Sequence, residues 1–159
     1  MRKIIHDKKL DLHAPVSEYG MSAGEKFLTP TEIYTLDCLA LIKALPGHVR
    51  TFSHITGGGL AENTARVIPD HLTAVYDRST WSLPVEMNLM ASLGGVPQED
   101  MERTWNAGIG MVAVIDPSQA DLALKSLAAR GMKAWVAGVV MGRNGTEPRS
   151  ALEGTYRAR

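Results

Sequence analysis

The sequence predicts an α+β protein, a layered α/β sandwich built on a mixed sheet, and three observations carry that prediction. Gly110 to Ile115 and Ala134 to Met141 are apolar on both faces, as strands covered from two sides are. A helical pattern lies between them, with Ala120, Leu124 and Leu127 on one side. Val49 to Ile55 alternates with a period of two, placing Val49, Thr51, Ser53 and Ile55 on one face and Arg50, Phe52 and His54 on the other.

Residues 1 to 27 are an irregular mixture and read as an entering arm with at most one short helix, ahead of a domain body over 28 to 145. Thr29-Pro30-Thr31-Glu32 has the form of a helix start, with Thr29 as N-cap, Pro30 at the first position and Glu32 closing a capping box. That helix carries Ile33, Leu36, Ala40 and Leu41 on a broad apolar face and stops near Pro46-Gly47. After the Val49 strand, a short helix runs from about Leu60 to Val67 and a strand from Leu72 to Tyr76. Two short helices follow, the first opened by Pro84 and broken at Gly94-Gly95, the second started by Pro97-Gln98-Glu99-Asp100. Asp116 caps the next helix with Pro117 at its first position and Gly131 just past its end. Strand, helix and strand at this spacing form either a βαβ unit or half of a split βαβ fold. The segment from Arg143 is polar, and residues 146 to 159 read as a tail that ends in a frayed strand or a loose end.

Composition narrows the function. A chain of 159 residues, 45% hydrophobic and 21% charged, is large enough for one domain with a full core. Seventeen basic residues balance seventeen acidic ones, so no net field draws the chain to nucleic acid or to a membrane surface, and a small-molecule or protein partner is expected. No apolar run reaches the roughly 20 residues that cross a bilayer, and the start lacks a signal-peptide core, which predicts a cytoplasmic protein. Cys38 is the only cysteine and falls among apolar neighbours, as a small buried hydrophobe or, alternatively, a nucleophile. The five histidines form no pair at metal-ligand spacing, so no metal site is expected.

The chemistry concentrates in His54-Ile55-Thr56-Gly57-Gly58-Gly59-Leu60-Ala61-Glu62-Asn63, where a strand runs into three glycines and then a helix. Such a run suits positive φ angles or close approach of a ligand, and a helix opening beyond it leaves unpaired N–H groups facing the loop. The stretch reads as a phosphate cradle or as a tight strand-to-helix connection. It is neither a P-loop nor a dinucleotide fingerprint.

Four landmarks in order, Leu28-Thr29-Pro30-Thr31-Glu32-Ile33-Tyr34, then His54 to Gly59 with Glu62-Asn63, then Arg66-Val67-Ile68-Pro69, then Asn106-Ala107-Gly108-Ile109-Gly110-Met111, resemble the C-terminal half of the aminoimidazole ribonucleotide synthetase family, the phosphoribosylformylglycinamidine cyclo-ligases of purine biosynthesis. The resemblance covers roughly Arg2 to Val140 and implies the C-terminal domain fold of that family. One departure is Met21, where the family usually carries an arginine.

The resemblance implies ATP-dependent ring closure of formylglycinamidine ribonucleotide to aminoimidazole ribonucleotide, with ATP and Mg²⁺ as cofactors whose ligands lie mostly on an N-terminal domain outside this chain. Residues 1 to 27 would then include the remnant of the inter-domain linker. The chain would be inactive alone, and its partners would be the ribonucleotide substrate and either a second copy in a homodimer or a complementing N-terminal domain. By the resemblance, Gly57, Gly58 and Gly59 with Thr56 hold substrate or transferring phosphate, and Asn63 orients the substrate or a neighbouring loop. His54, at the lip of the cradle, acts as acid/base or electrophile, or it only pins the loop by a hydrogen bond. Glu62 helps place Mg²⁺ or stabilises a helix dipole, and Asn106 contacts ligand or forms a turn. The alternative function is a non-catalytic module that binds a phosphate ligand or a partner and retains the fold.

Overall fold

The computed structural model describes residues 1 to 158; Arg159, the last residue of the expected tail, lies outside them. The arm is more ordered than a single short helix. It contains α1 (Arg2–Asp7), a two-residue hairpin of β1 (Pro15–Val16) and β2 (Met21–Ser22), and α2 (Ala23–Phe27). A full capping box opens α2: the Glu25 N–H donates to Ser22 Oγ at 3.2 Å and the Ser22 N–H donates to Glu25 Oε2 at 2.9 Å.

The helix expected from Pro30 starts five residues later, as α3 (Thr35–Ala44), with Tyr34 at its N-cap and no side-chain cap. Thr29 to Tyr34 is instead an irregular strap. A cap stabilises a helix by about 1 kcal/mol, which tertiary packing easily outweighs. Here the strap delivers the Tyr34 ring to the tip of the next strand.

From α3 the chain passes through β3 (Val49–His54), α4 (Gly59–Ala65), β4 (Leu72–Asp77), α5 (Val85–Gly94), α6 (Gln98–Thr104), β5 (Met111–Ile115), α7 (Ala120–Ala128), β6 (Gly138–Gly142) and β7 (Ser150–Glu153). Strands β3 and β5 pair antiparallel, with His54 opposite Met111 and Val49 opposite Ile115. A bulge between Val49 and Thr51 breaks the simple alternation, so Val49 packs with Phe52 rather than with Ser53 and Ile55. The other ladder is mixed: β4 is central, antiparallel to β6 and parallel to β7. The protein is therefore a layered α+β fold with a mixed sheet.

Three expectations about the last third are corrected. Gly110 to Ile115, expected to be a central strand, pairs with β3 alone, although both faces of β5 are covered. Ala134 to Met141 is not a central strand either. Only Gly138–Gly142 is extended, and Val139, Val140 and Met141 are exposed along an edge. Nor do β5, α7 and β6 form a βαβ unit or half of a split one, because β5 and β6 belong to different ladders. The segment after Arg143, expected to fray, supplies β7, which pairs along β4 from Ala74 opposite Ser150 to Asp77 opposite Glu153. The central strand β4 presents two edges, and the tail fills the one that β6 leaves open.

Two apolar clusters hold the layers. On one face of the β3–β5 ribbon, α3 and α7 bury Leu41, Leu45 and Ala123 against Val49, Phe52, Ala113 and Ile115. In the other cluster, Ile55, Leu60, Ile68, Ala74, Tyr76, Trp81 and Ile109 pack with Val112 and Val114. A fully buried side chain such as Leu41, Leu45 or Leu60 contributes about 1.5–3 kcal/mol. An apolar cavity of about 460 Å³ separates β5 from the Met132 to Val140 segment. Among the described residues no helix is long and apolar enough to cross a membrane.

Candidate functional site

Strand β3 ends at His54, and the Ile55 N–H still pairs with the Gly110 carbonyl, so the chain leaves the ladder only after Ile55. Ile55 and Leu60, anchored in the same core, bracket the glycine loop between them. The loop needs glycine at two places for different reasons. Gly58 is the N-cap of α4 at φ 98°, and a β-carbon there would lie 2.6 Å from the Glu62 carboxylate. Gly59 has φ 71° and is buried against α6, where a β-carbon would collide with the Glu102 main-chain carbonyl.

Asn63 organises the loop from beneath. It is 5% exposed, and its amide nitrogen donates to the carbonyls of Gly59 at 2.8 Å, Gly57 at 3.2 Å and Thr56 at 3.3 Å. The Gly59 N–H closes the turn onto the Thr56 carbonyl at 3.2 Å. With the carbonyls drawn inward, the N–H groups of Gly57 and Gly58 make no hydrogen bond among the described residues, and no side chain caps α4. This is the arrangement an oxyanion requires: fixed donors, with the competing acceptors already occupied. Helix α4 has only seven residues, so the loop amides rather than a long macrodipole supply the positive potential. A second buried contact, Thr64 Oγ1 to the Tyr76 hydroxyl at 2.7 Å, fixes α4 against β4. Burial pushes the Tyr76 hydroxyl up to about 12, with the Thr64 hydrogen bond opposing it.

The structure brings His54, Thr56, Gly57 and Gly58 onto one rim, with Gly59 buried behind them against α6 and Asn63 below. His54 and Thr56 are exposed. The His54 imidazole makes no hydrogen bond among the described residues; its neighbour is Tyr34, edge-on with ring centroids 6.3 Å apart. Glu62 is exposed, leans over Gly58 and pairs with Arg66 at 2.8 Å. Asn106 forms a turn, its Oδ1 accepting from the Gly108 N–H at 3.1 Å. Ala107 between them is left-handed at φ 52° and buried, its carbonyl accepting the Trp81 indole N–H at 3.1 Å. Cys38 is half-buried, and burial, reinforced by Asp37, raises its thiol above the ordinary value, which disfavours the thiolate a nucleophile needs.

Two neighbours of the rim are not marked as such by the local sequence pattern. Tyr34 falls inside the helix that the Thr29 to Glu32 capping spacing predicts, and only the strap that replaces the start of that helix brings its ring to His54. Glu102, whose carbonyl backs Gly59, lies in a helix that reads as an ordinary charged surface helix. Among the described residues no group of three or more His, Cys, Asp or Glu is placed to hold a metal ion. None of His54, Thr56 or the three glycines lines the apolar cavity, so the candidate site is an open rim and not an enclosed pocket.

Taken together, fold and rim define a layered α+β domain that exposes backbone donors on a glycine turn at a strand end. Residues 1–150 match the family model described as "AIR synthase related protein, C-terminal domain", and the chain belongs to that family as its C-terminal domain. A Streptomyces fradiae protein that carries the name phosphoribosylformylglycinamidine cyclo-ligase provisionally is 47% identical over 148 residues, 91% of this chain and 80% of its own length. The phosphoribosylformylglycinamidine cyclo-ligase of Anaeromyxobacter sp. strain Fw109-5 is 46% identical over 121 residues, 76% of this chain but only 35% of that enzyme. A trifunctional purine biosynthetic protein, adenosine-3, from Homo sapiens is 36% identical over 151 residues, 94% of this chain and 15% of its own length. The chain thus spans about a third of the bacterial enzyme and a smaller part of the human one.

Proposed function

We propose that this chain is the substrate-side half of a phosphoribosylformylglycinamidine cyclo-ligase, acting in the ATP-dependent closure of formylglycinamidine ribonucleotide to aminoimidazole ribonucleotide. The observation that carries this reading is the glycine loop, whose carbonyls are held inward by Asn63 while the Gly57 and Gly58 N–H groups stay free. The cyclo-ligase names of the relatives support the same reaction.

In this reading residues 28 to 145 are the domain body, to whose sheet the tail adds β7. The free amides of Gly57 and Gly58 bind the substrate phosphate or the phosphoryl group in transfer, and Gly59 closes the turn with its N–H on the Thr56 carbonyl. The Thr56 hydroxyl reaches the ligand by leaving its 3.4 Å contact with Asn63 Oδ1, and Asn63 keeps the loop in its donor-out form. His54, exposed at the strand end that leads into the loop, takes or delivers the proton of ring closure. ATP supplies the phosphoryl group that turns the formyl oxygen into a leaving group. Among the described residues no group of three or more His, Cys, Asp or Glu could hold a metal ion, and ligands for Mg²⁺ would come from the complementing domain.

An open rim leaves a bound nucleotide in water, so a second body must cover it for phosphoryl transfer to outrun hydrolysis. An apolar stripe supports a complementing domain as that body: Leu28, Ile33, Leu36, Leu39 and Ile42 are all exposed on the strap and the outer side of α3.

The test is ATP-dependent formation of aminoimidazole ribonucleotide by the purified chain, alone and then mixed with a separately expressed N-terminal domain of a longer relative. Turnover only on mixing is the expected result. Substrate binding without turnover in either case would move the chain to the binding-module alternative, and absence of substrate binding in both would overturn the reading.

A further inference from the structure

The C-terminal tail is unused by the function proposed above, and the family match stops at residue 150. Beyond β7 the tail is nevertheless closely held. Gly154 turns it at φ 71°, and Tyr156 enters the core between Trp81, 5.4 Å away and edge-on, and the Arg78 guanidinium, 5.9 Å from its ring centroid. Arg78 Nη1 donates to the carbonyls of Leu152 at 2.8 Å and Gly154 at 3.2 Å, and the Arg157 N–H donates to the Trp81 carbonyl at 3.1 Å.

All of this converges on one carboxylate. Arg78 grips Glu102 with two hydrogen bonds, Nε to Oε1 at 2.8 Å and Nη2 to Oε2 at 2.7 Å; these side chains are only 14% and 10% exposed. The Tyr156 hydroxyl donates to the same Oε1 at 2.8 Å, and Gln98 Nε2 donates to it at 2.9 Å. The main chain of Glu102 faces the other way: its carbonyl fills the space where a Gly59 side chain would stand, with the Trp105 carbonyl beside it. Glu102 therefore touches the tail with its side chain and the glycine loop with its backbone.

We propose that Tyr156, acting through Glu102, is a positioning residue for the glycine loop. The tail fixes where the last turn of α6 stands, α6 fixes the seat of Gly59, and that seat sets the direction of the free Gly57 and Gly58 N–H groups. This use of the tail in phosphate binding rests on the reading of the loop given under the proposed function.

Tyr156→Phe isolates the effect, because the ring keeps its packing and only the hydroxyl bond to Glu102 is lost. Glu102→Gln is the second variant, keeping the shape and removing the charge. Amide hydrogen exchange should speed about tenfold at Gly59 and Asn63 in both variants, while Ala74 and Val75 in β4 stay unchanged. Affinity for formylglycinamidine ribonucleotide, measured by calorimetry, should fall about as much. Unchanged exchange at Gly59 and Asn63 would overturn the proposal. Equal acceleration in β4 would overturn it too, since it would show a general loosening. If the unsubstituted chain does not bind the ribonucleotide, the reading of the loop fails, and the exchange measurement still decides whether the tail positions it.

Discussion

Gly58 and Gly59 are neighbours with the same sign of φ, yet their surroundings make them unequal. At Gly58 an added methyl meets the far end of the Glu62 side chain, which can swing into solvent, so Gly58→Ala should cost about 1–2 kcal/mol, the strain of a left-handed residue. At Gly59 the methyl meets the Glu102 carbonyl, which cannot move without moving α6, and Gly59→Ala should cost more than that strain alone. Urea denaturation of the two variants checks the order, and equal losses would contradict the packing of the loop on α6. Asn63 offers a sharper comparison. Asn63→Asp keeps the shape but replaces the amide donor with an acceptor facing three carbonyl oxygens, so a loss of about 3–5 kcal/mol is expected. A variant as stable as the parent would mean that Asn63 does not donate to the loop.

At the scale of elements, α3 is apolar nearly all round. Leu41 and Leu45 face the core, while Leu36, Leu39 and Ile42 face solvent, Leu36 at 68% exposure. A helix of that kind is normally covered on both sides. The double substitution Leu36→Glu with Ile42→Lys should leave thermal stability within about 0.5 kcal/mol, because neither side chain is buried here. It should also abolish complementation in the mixing assay; complementation at the parental level would exclude this stripe as the contact surface.

The same helix shows where sequence legibility stops. Two segments carry the capping spacing, Thr29 to Glu32 and Ser22 to Glu25, and only the second forms a box. The better-looking local signal yielded because the Thr29 to Tyr34 strap serves a distant contact, Tyr34 against His54 and Gly110, which no local pattern records. The residues His54 to Gly59 were legible because strand alternation, a glycine run and a following helix are all local. Glu102 and Tyr156 were not, because they meet across 54 positions of sequence.

Across the whole molecule, a few titratable groups couple the fold to pH. Burial pulls the Glu102 carboxyl upward, but hydrogen bonds from Arg78, Tyr156 and Gln98 and the Arg78 charge outweigh it and hold it below its ordinary value. The unfolded chain therefore takes up this proton first on acidification. The stability Glu102 contributes is complete above its unfolded value of about 4.3 and is lost as pH falls through the lower folded value. Glu102→Gln should flatten that acid limb, and a limb of unchanged slope would refute the assignment. Tyr76 acts at the other end. Its hydroxyl is pushed up to about 12, so its stabilisation is present below the unfolded value near 10 and fades as pH rises from about 10 to 12. Tyr76→Phe should flatten the alkaline limb in thermal melts between those pH values, at the cost of the Thr64 hydrogen bond at neutral pH.

The sequence alone determined the α+β class, the strands β3 and β5 though not their pairing, the short helices bounded by Pro84, Gly95 and Pro97, and the glycine turn after His54. Those features follow from residue period and from the backbone limits of proline and glycine, which act over a few positions. The tertiary structure decided the rest: that β3 pairs with β5 while β6 joins a separate ladder, that the tail becomes a strand and packs Tyr156 into the core, and that Asn63 and Glu102 hold the glycine loop from two sides. These depend on which distant groups share a buried space, where hydrogen bonds must be satisfied and carbonyls cannot overlap, and that is settled only when the layers pack.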